Sequence, residues 1–135
     1  GDKMNEYDIV KKYVEKVSRH VKLHVAILFG SRARGDHGPW SDYDILLIGD
    51  FTEDYMERLK KLMELADDIK IPIEPHPYRL EEAITMLEKG NPTIVDAIEE
   101  GIVVEAGEEY EKLLSKYREM KNSGKLQRTK TTITF

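Results

Sequence analysis

Two aspartates separated by one residue, Asp42 and Asp44, are the side chains of this sequence that point most directly to chemistry. They open the run from residue 42 to residue 48, which is typical of a buried β-strand, and strand side chains alternate between the two faces of a sheet. Both carboxylates therefore project from one face, about 7 Å apart, where they repel each other. A hard divalent cation such as Mg²⁺ would reverse this repulsion, because Mg²⁺ prefers carboxylate oxygens. The pair predicts a metal site.

A glycine turn with phosphate-binding features precedes this pair, with ten residues between Ser31 and the first aspartate. Gly30 lets the backbone approach a phosphate closely, and Ser31 offers a hydroxyl and an amide N–H. If residues 31–34 open a short helix, their free N–H groups form an anion site, and Arg32 and Arg34 add positive charge against a triphosphate. These are the parts required to hold a nucleotide–Mg²⁺ complex.

Helices and strands are predicted around these motifs from hydrophobic periodicity. The predicted helices cover residues 7–20, 52–68, 79–89, 92–100 and 108–120, and the predicted strands cover residues 23–29, 42–48, 71–77 and 102–105. Asn5 and Thr52 are the predicted N-caps of the first two helices. Pro72, Pro75 and Pro77 place the third strand at a sheet edge or a bulge. This order predicts an α/β (α+β) domain, in which helices cover a small mixed sheet and leave its other face partly open.

The composition excludes several classes of protein. Lys and Arg number 21 and Asp and Glu number 26, so the net charge is −5. Because DNA binding requires a basic face, we expect neither sequence-independent nor sequence-specific binding of DNA. The absence of cysteine excludes disulfide frameworks, zinc ribbons and thiol nucleophiles. No apolar run reaches the roughly 18 residues of a membrane span, and no signal peptide is evident, so we expect a cytoplasmic protein.

The order Gly30-Ser31, ten residues, then Asp42-Tyr43-Asp44 resembles the signature of the DNA polymerase β-like nucleotidyltransferase superfamily. The short chain resembles the minimal nucleotidyltransferases of that superfamily, the antitoxin-type members that are often found beside a HEPN-domain protein. The resemblance implies the nucleotidyltransferase fold.

The resemblance extends well beyond the signature. Residues 91–103 look like the C-terminal segment of the minimal nucleotidyltransferases, and the likeness covers roughly residues 7–120. We therefore expect one domain over residues 1–121, followed by a polar, basic and flexible tail over residues 122–135.

The resemblance also implies roles for individual residues. Asp42 and Asp44, with Glu74 at the position that matches the family's third carboxylate, would be catalytic and would hold two Mg²⁺ ions. Gly30 and Ser31 would cradle the phosphates of ATP. The implied reaction moves AMP from ATP to a hydroxyl acceptor and releases pyrophosphate. In the antitoxin-type members the acceptor is a side chain of the partner toxin.

Two alternatives stay open. A binding module with a vestigial site would neutralise a HEPN-type partner by occlusion alone, and it would show no Mg²⁺-dependent binding of ATP. An antibiotic-modifying nucleotidyltransferase would share the signature, although such enzymes usually carry an additional helical domain for the drug.

Other features stay undecided at the level of sequence. The four histidines show no metal-ligand spacing, although His76 would share a strand face with Glu74. Trp40 is either a lid on the core or a ring that stacks on a base. Residues 111–135 carry seven basic and two acidic residues, which is typical of a partner-binding tail or of a solvated terminal helix. The acceptor, the nucleotide preference and the oligomeric state, a homo-oligomer included, stay open.

Overall fold

The computed structural model describes residues 5–128 and 133–134, with side chains described for residues 5–126. Its helices are α1 (Glu6–Ser18), α2 (Ser31–Arg34), α3 (Tyr55–Leu65), α4 (Leu80–Glu88), α5 (Pro92–Glu100) and α6 (Tyr110–Asn122). Its strands are β1 (Leu23–Phe29), β2 (Tyr43–Gly49), β3 (Ile73–Tyr78), β4 (Ile102–Ala106), β5 (Gln127–Arg128) and β6 (Ile133–Thr134). Within the described ranges, none of the helices has both the length and the apolar character needed to cross a membrane.

A four-stranded mixed sheet in the order β3-β2-β1-β4 forms the centre of the molecule. Strand β1 pairs in antiparallel fashion with β2 and with β4, whereas β2 and β3 run parallel. The parallel pair is joined through α3, as expected of a crossover connection. The predicted fold class, a small mixed sheet flanked by helices, is confirmed, and so is the edge position that the prolines indicated for β3.

Side chains alternate along the central strands and divide the core into two layers. One layer joins the sheet to α4, α5 and α6 through Val25, Ile27, Leu46, Ile48, Leu87, Ile94 and Leu113. The other layer joins the sheet to α1 and α3 through Val10, Tyr13, Val17, Ala26, Leu28, Ile45, Leu47 and Leu62. The expectation that one face is partly open is therefore wrong, because the apolar stripes of α1 and α3 cover it.

Most of the predicted element bounds agree with the structure, and the exceptions have local causes. Strand β1 has the predicted bounds, and the Asn5 side chain accepts from the N–H of Asp8, as expected of an N-cap. Helix α3 begins later than predicted, because the Asp54 side chain, rather than Thr52, accepts from the first turn at Glu57.

Part of the C-terminal region packs against the rest of the domain. Helix α6 continues to Asn122, and Leu126 is only 2% exposed within the layer formed by α4, α5 and α6. Strands β5 and β6 pair with each other in antiparallel fashion. The flexible tail over residues 122–135 stays a prediction, and its basic residue Lys130 lies outside the described residues.

Arg58 of α3 is the largest fully buried side chain of the described residues and ties α3 to β3 and α4. Its guanidinium donates to the carbonyl oxygen of Glu53 at 2.8 Å and to the carbonyl oxygen of Pro77, in β3, at 3.4 Å. It also donates to the Glu82 carboxylate of α4 at 2.8 Å. A charge without access to water needs all of these partners, because a buried and unpaired guanidinium is strongly destabilising.

We expect Arg58→Met to lower the free energy of unfolding by about 3 kcal/mol, because it breaks the buried ion pair with Glu82 and removes the guanidinium donor from two carbonyl groups. The matched control is Lys61→Met on the same helix, whose ion pair with Glu53 spans 3.3 Å between side chains that are 48% and 30% exposed. Loss of such a pair changes stability by less than about 1 kcal/mol. Urea titration measures both, and equal losses for the two variants would contradict the structural role of Arg58.

Candidate functional site

The register of the sheet places Asp44 beside Glu74. On its two sides Asp44 pairs with Phe29 of β1 and with Glu74 of β3. Asp44, Glu74 and His76 lie on the same face of the sheet as Leu46, since residues two apart on a strand share a face. These three side chains therefore meet at the end of the sheet where β2 and β3 begin.

The three side chains form a cluster, which we call the acidic–histidine cluster (Asp44, Glu74 and His76). His76 Nε2 lies 3.0 Å from Asp44 Oδ1, and one ligating atom from each of the three residues lies within 4.8 Å of the others. The edge of the His76 ring packs against Phe29, with ring centroids 5.0 Å apart and an angle of 64° between the planes. Asp42 immediately precedes β2 and is exposed, outside this cluster.

The carboxylates act on one another electrostatically. Partial desolvation raises the pKa of Glu74 above its ordinary value of 4.5, and the negative charges of Asp44 and Asp42 raise it further, whereas His76 opposes the shift. Like charges held together disfavour the ionised form in this way. Asp42 is therefore near enough to Glu74 to act on it through its charge.

Gly30 allows the backbone of the turn to pack closely against the Asp44 side chain. It has φ +75°, and a Cβ built on it would lie 2.8 Å from Asp44 Oδ2. Its carbonyl oxygen accepts from the N–H groups of Ala33 and Arg34, both at 3.1 Å, which starts the single turn of α2. Glycine therefore serves two purposes here, because the backbone is left-handed and no Cβ fits beside the carboxylate.

The two arginines predicted to bind nucleotide have partners within the protein. The Arg32 side chain is 7% exposed, and it donates to the carbonyl oxygen of Ser41 at 2.9 and 3.1 Å and lies over the Tyr43 ring at 4.2 Å. Arg34 pairs with Asp36 at 3.1 Å and with Glu100 at 3.4 Å. The structure thus brings Gly30 next to the acidic–histidine cluster but gives both guanidinium groups other contacts. Their role toward a nucleotide stays a prediction.

Trp40 lies on the loop between α2 and β2 and is 89% exposed. A pair of hydrogen bonds closes this loop, one from the N–H of Ser41 to Gly38 at 3.2 Å and one from the N–H of Gly38 to Ser41 Oγ at 3.0 Å. Trp40 is therefore no lid on the core. Stacking on a base stays a prediction.

His76 is the member of the cluster to which the sequence assigned no role. The spacing of His76 from the other histidines does not indicate a metal site. Its position two residues after Glu74 does indicate a shared site, because a strand puts both side chains on one face. The missing information was the parallel pairing of β2 with β3, which brings that face to Asp44.

The donor groups fit a divalent cation. Carboxylate oxygens and an imidazole nitrogen are common ligands of such ions. After desolvation, the negative charges of Asp44 and Asp42 raise the pKa of Glu74 further, and a bound cation would relieve that repulsion. Asp44, Glu74 and His76 are therefore the described residues best placed to hold a metal, with Asp42 beside them.

Comparison with known sequences gives matches over most of the chain. Residues 10–126 match the protein family described as "Nucleotidyltransferase domain". A protein of Methanocaldococcus jannaschii, described as a candidate protein adenylyltransferase, is 44% identical over 55 residues, which are 39% of this chain and 55% of that protein. The match thus spans about half the length of this curated relative.

Solved structures with the same fold include chains of two toxin–antitoxin complexes. A chain of a toxin–antitoxin complex with AMP-PNP has a TM-score of 0.56 and 22% identity, over 84% of this chain and 90% of that chain. A complex of an MNT antitoxin with a tri-AMPylated HEPN toxin, from Shewanella oneidensis, gives 0.53 and 19%, over 87% and 91%. A further Shewanella oneidensis structure gives 0.58 and 17%, over 90% of each chain. These likenesses confirm the predicted fold.

We expect Gly30→Ala to lower stability more than Gly35→Ala does. Both glycines have positive φ, but Gly30 (φ +75°, ψ −155°) lies in a region that essentially only glycine adopts, whereas Gly35 (φ +84°, ψ 7°) is in the left-handed helical region, so the backbone cost is also higher at Gly30. Only at Gly30 does the new Cβ meet Asp44, since a Cβ at Gly35 would have no neighbour within 4 Å. Urea titration measures the difference. In an Asp44→Ala background the loss at Gly30 should become smaller while the loss at Gly35 stays the same, and a loss at Gly30 that Asp44→Ala leaves unchanged would contradict the contact with Asp44.

In metal-free buffer we expect Glu74→Gln to be more stable than the wild type above the ordinary Glu pKa of 4.5 and equally stable well below it. A carboxyl with a raised pKa in the folded state is neutral at low pH and costs no stability there, and it lowers stability as pH rises from the ordinary pKa to the raised one. Urea titrations with EDTA at about pH 3.5 and about pH 8 measure the effect. Glu81→Gln, at an exposed position of α4, is the control. The same difference at both pH values would contradict this prediction.

Proposed function

The chain belongs to the nucleotidyltransferase domain family, and from that membership we propose that it transfers AMP from ATP to a hydroxyl group on a partner protein of the HEPN type. One observation carries the proposal. The register of β2 and β3 places Asp44 beside Glu74, with Gly30 against the same carboxylate. Two carboxylates that can ligate a metal and the turn that we propose to bind phosphate therefore share one end of the sheet.

The relatives support the choice of donor and acceptor. The Methanocaldococcus jannaschii relative is described as a candidate protein adenylyltransferase. One solved relative was crystallised with AMP-PNP, an analogue of ATP, and another is complexed with a HEPN toxin that carries AMP groups. AMP from ATP is accordingly the donor group we infer for this chain, and a HEPN-type protein is the acceptor.

In the proposed reaction the acceptor hydroxyl oxygen forms a bond to the α-phosphorus of ATP. The bond from that phosphorus to the oxygen leading to the β-phosphate breaks, and pyrophosphate leaves. The hydroxyl proton passes to the carboxylate of Glu74. Asp42, Asp44 and Glu74 would hold two Mg²⁺ ions. Bound Mg²⁺ would neutralise charge on the phosphates and lower the pKa of the acceptor hydroxyl.

The turn at Gly30 would hold the β- and γ-phosphates. The N–H groups of Ser31 and Arg32 precede the first hydrogen bonds of α2, which are made by Ala33 and Arg34 to the Gly30 carbonyl oxygen. They are free of helical partners and so can donate to phosphate oxygens, together with the Ser31 hydroxyl. The Arg32 side chain serves this turn indirectly, because its bonds to the Ser41 carbonyl oxygen close the loop that leads to Asp42.

We expect Asp44→Asn to lower AMP transfer at least about 100-fold while the protein stays folded, because it removes a metal-ligating charge at the reacting phosphate. The assay mixes the chain with ATP labelled at the α-phosphate, Mg²⁺ and a HEPN-type partner, and measures label on the partner. Asp67→Asn, an exposed aspartate beyond α3, is the control and should transfer normally.

The same assay separates the enzyme from its main rival. ATP labelled at the γ-phosphate should leave no label on the partner, since pyrophosphate departs. A wild-type chain that binds the partner tightly but transfers no label would indicate an antitoxin that acts by occlusion. Wild-type rates in Asp44→Asn would show that the proposed metal site has no part in transfer.

A further inference from the structure

His76 has no part in the reaction proposed above, although it lies inside the acidic–histidine cluster. From its position we infer that His76 is a direct ligand, through Nε2, of the ion held by Asp44 and Glu74, and that it makes this site prefer Mn²⁺ to Mg²⁺. This inference rests on the proposed function, because the ion is the one that serves AMP transfer, but metal binding can be measured without transfer.

The distances are those of neighbouring ligands of one ion. Two donor atoms at right angles on an ion, each about 2.1 Å from it, are about 3 Å apart. His76 Nε2 and Asp44 Oδ1 are 3.0 Å apart, and the ligating atom of Glu74 completes a set within 4.8 Å. A small rotation of the Glu74 side chain, which is exposed, brings the third donor into reach.

The imidazole is held in place by features other than Asp44. Its ring packs edge-on against Phe29, a core residue that is 6% exposed. Pro75 and Pro77 flank His76 in β3, and each proline ring fixes φ near −65°. Glu74 and His76 therefore stay on one face of a stiff strand. A ligand whose position is fixed before the metal arrives loses little entropy on binding.

The type of donor decides which metal is favoured. Mg²⁺ demands oxygen ligands and is held poorly by imidazole nitrogen, whereas transition-metal ions accept both. A site of three carboxylates would suit Mg²⁺. In the site of this chain, the imidazole of His76 replaces one carboxylate, which shifts the metal preference toward Mn²⁺. Asp42, a further candidate ligand beside the cluster, would contribute oxygen.

A role in positioning Asp44 alone would give a different result, and one variant separates the two roles. Glutamine at position 76 keeps an amide N–H that can donate to Asp44, and it offers an oxygen in place of the nitrogen. His76→Gln therefore preserves the hydrogen bond to Asp44 and removes the nitrogen ligand. Asp44→Asn serves as the variant with an impaired site.

The experiment titrates the tag-free chain, without nucleotide, with Mn²⁺, and follows free Mn²⁺ by electron paramagnetic resonance with and without competing Mg²⁺. Pulsed measurements then detect a nitrogen bound directly to Mn²⁺. We expect nitrogen coupling in the wild type and its loss in His76→Gln. The preference for Mn²⁺ over Mg²⁺ should fall at least about tenfold in that variant, while Mg²⁺ affinity changes little. Urea titration checks that each variant is folded.

The outcomes are distinct from those that test AMP transfer. Mn²⁺ that binds without nitrogen coupling, or a metal preference unchanged in His76→Gln, overturns the inference even if the wild type transfers AMP with Mg²⁺. A wild type that binds no Mn²⁺ overturns it as well. Nitrogen coupling that depends on His76 in a chain that transfers no AMP supports the metal ligand and overturns the proposed function instead.

Discussion

Burial of apolar side chains on both faces of the sheet is the interaction that holds the carboxylates of the site together against their mutual repulsion. Asp44 and Glu74 lie side by side on β2 and β3, and the pKa of Glu74 is raised by partial desolvation and, further, by the negative charges of Asp44 and Asp42. No local preference would gather these groups. The register of a sheet held by apolar layers on both faces does so, and the free energy of core burial offsets the repulsion. A cation held between these carboxylates would relieve their repulsion.

Strand β3 needs additional anchoring because of its composition. It carries Glu74 and His76 but lies at the sheet edge and contains two prolines, which donate no backbone hydrogen bonds. Arg58 supplies part of the missing attachment, since it joins the carbonyl oxygen of Pro77 to α3 and to Glu82 of α4. Arg58, a buried residue of α3 that contacts the far end of β3, therefore helps to fix the position of the residues that would hold the metal.

Much of the fold and part of the site could be predicted from the sequence, for physical reasons. Strand β1 is a short apolar run that ends at a glycine, and β3 contains prolines that only an edge tolerates. The aspartates and the Gly30 turn were visible because they are close in the sequence. The partners of Arg32 and the place of His76 were not, because each depends on contacts across the sheet or a loop. The N-cap of α3 is Asp54 and not the predicted Thr52, because several polar residues precede this helix and each of them can serve as an N-cap.

The prolines of β3 also limit how another chain can reach this end of the molecule. Because β3 still pairs with β2, the nitrogens of Pro75 and Pro77 face the outer edge, where they present no N–H to a neighbouring strand. Strand addition, by which exposed sheet edges recruit extended peptides or aggregate, is therefore blocked beside Glu74. A protein that approaches from this side has to dock through side chains rather than by extending the sheet.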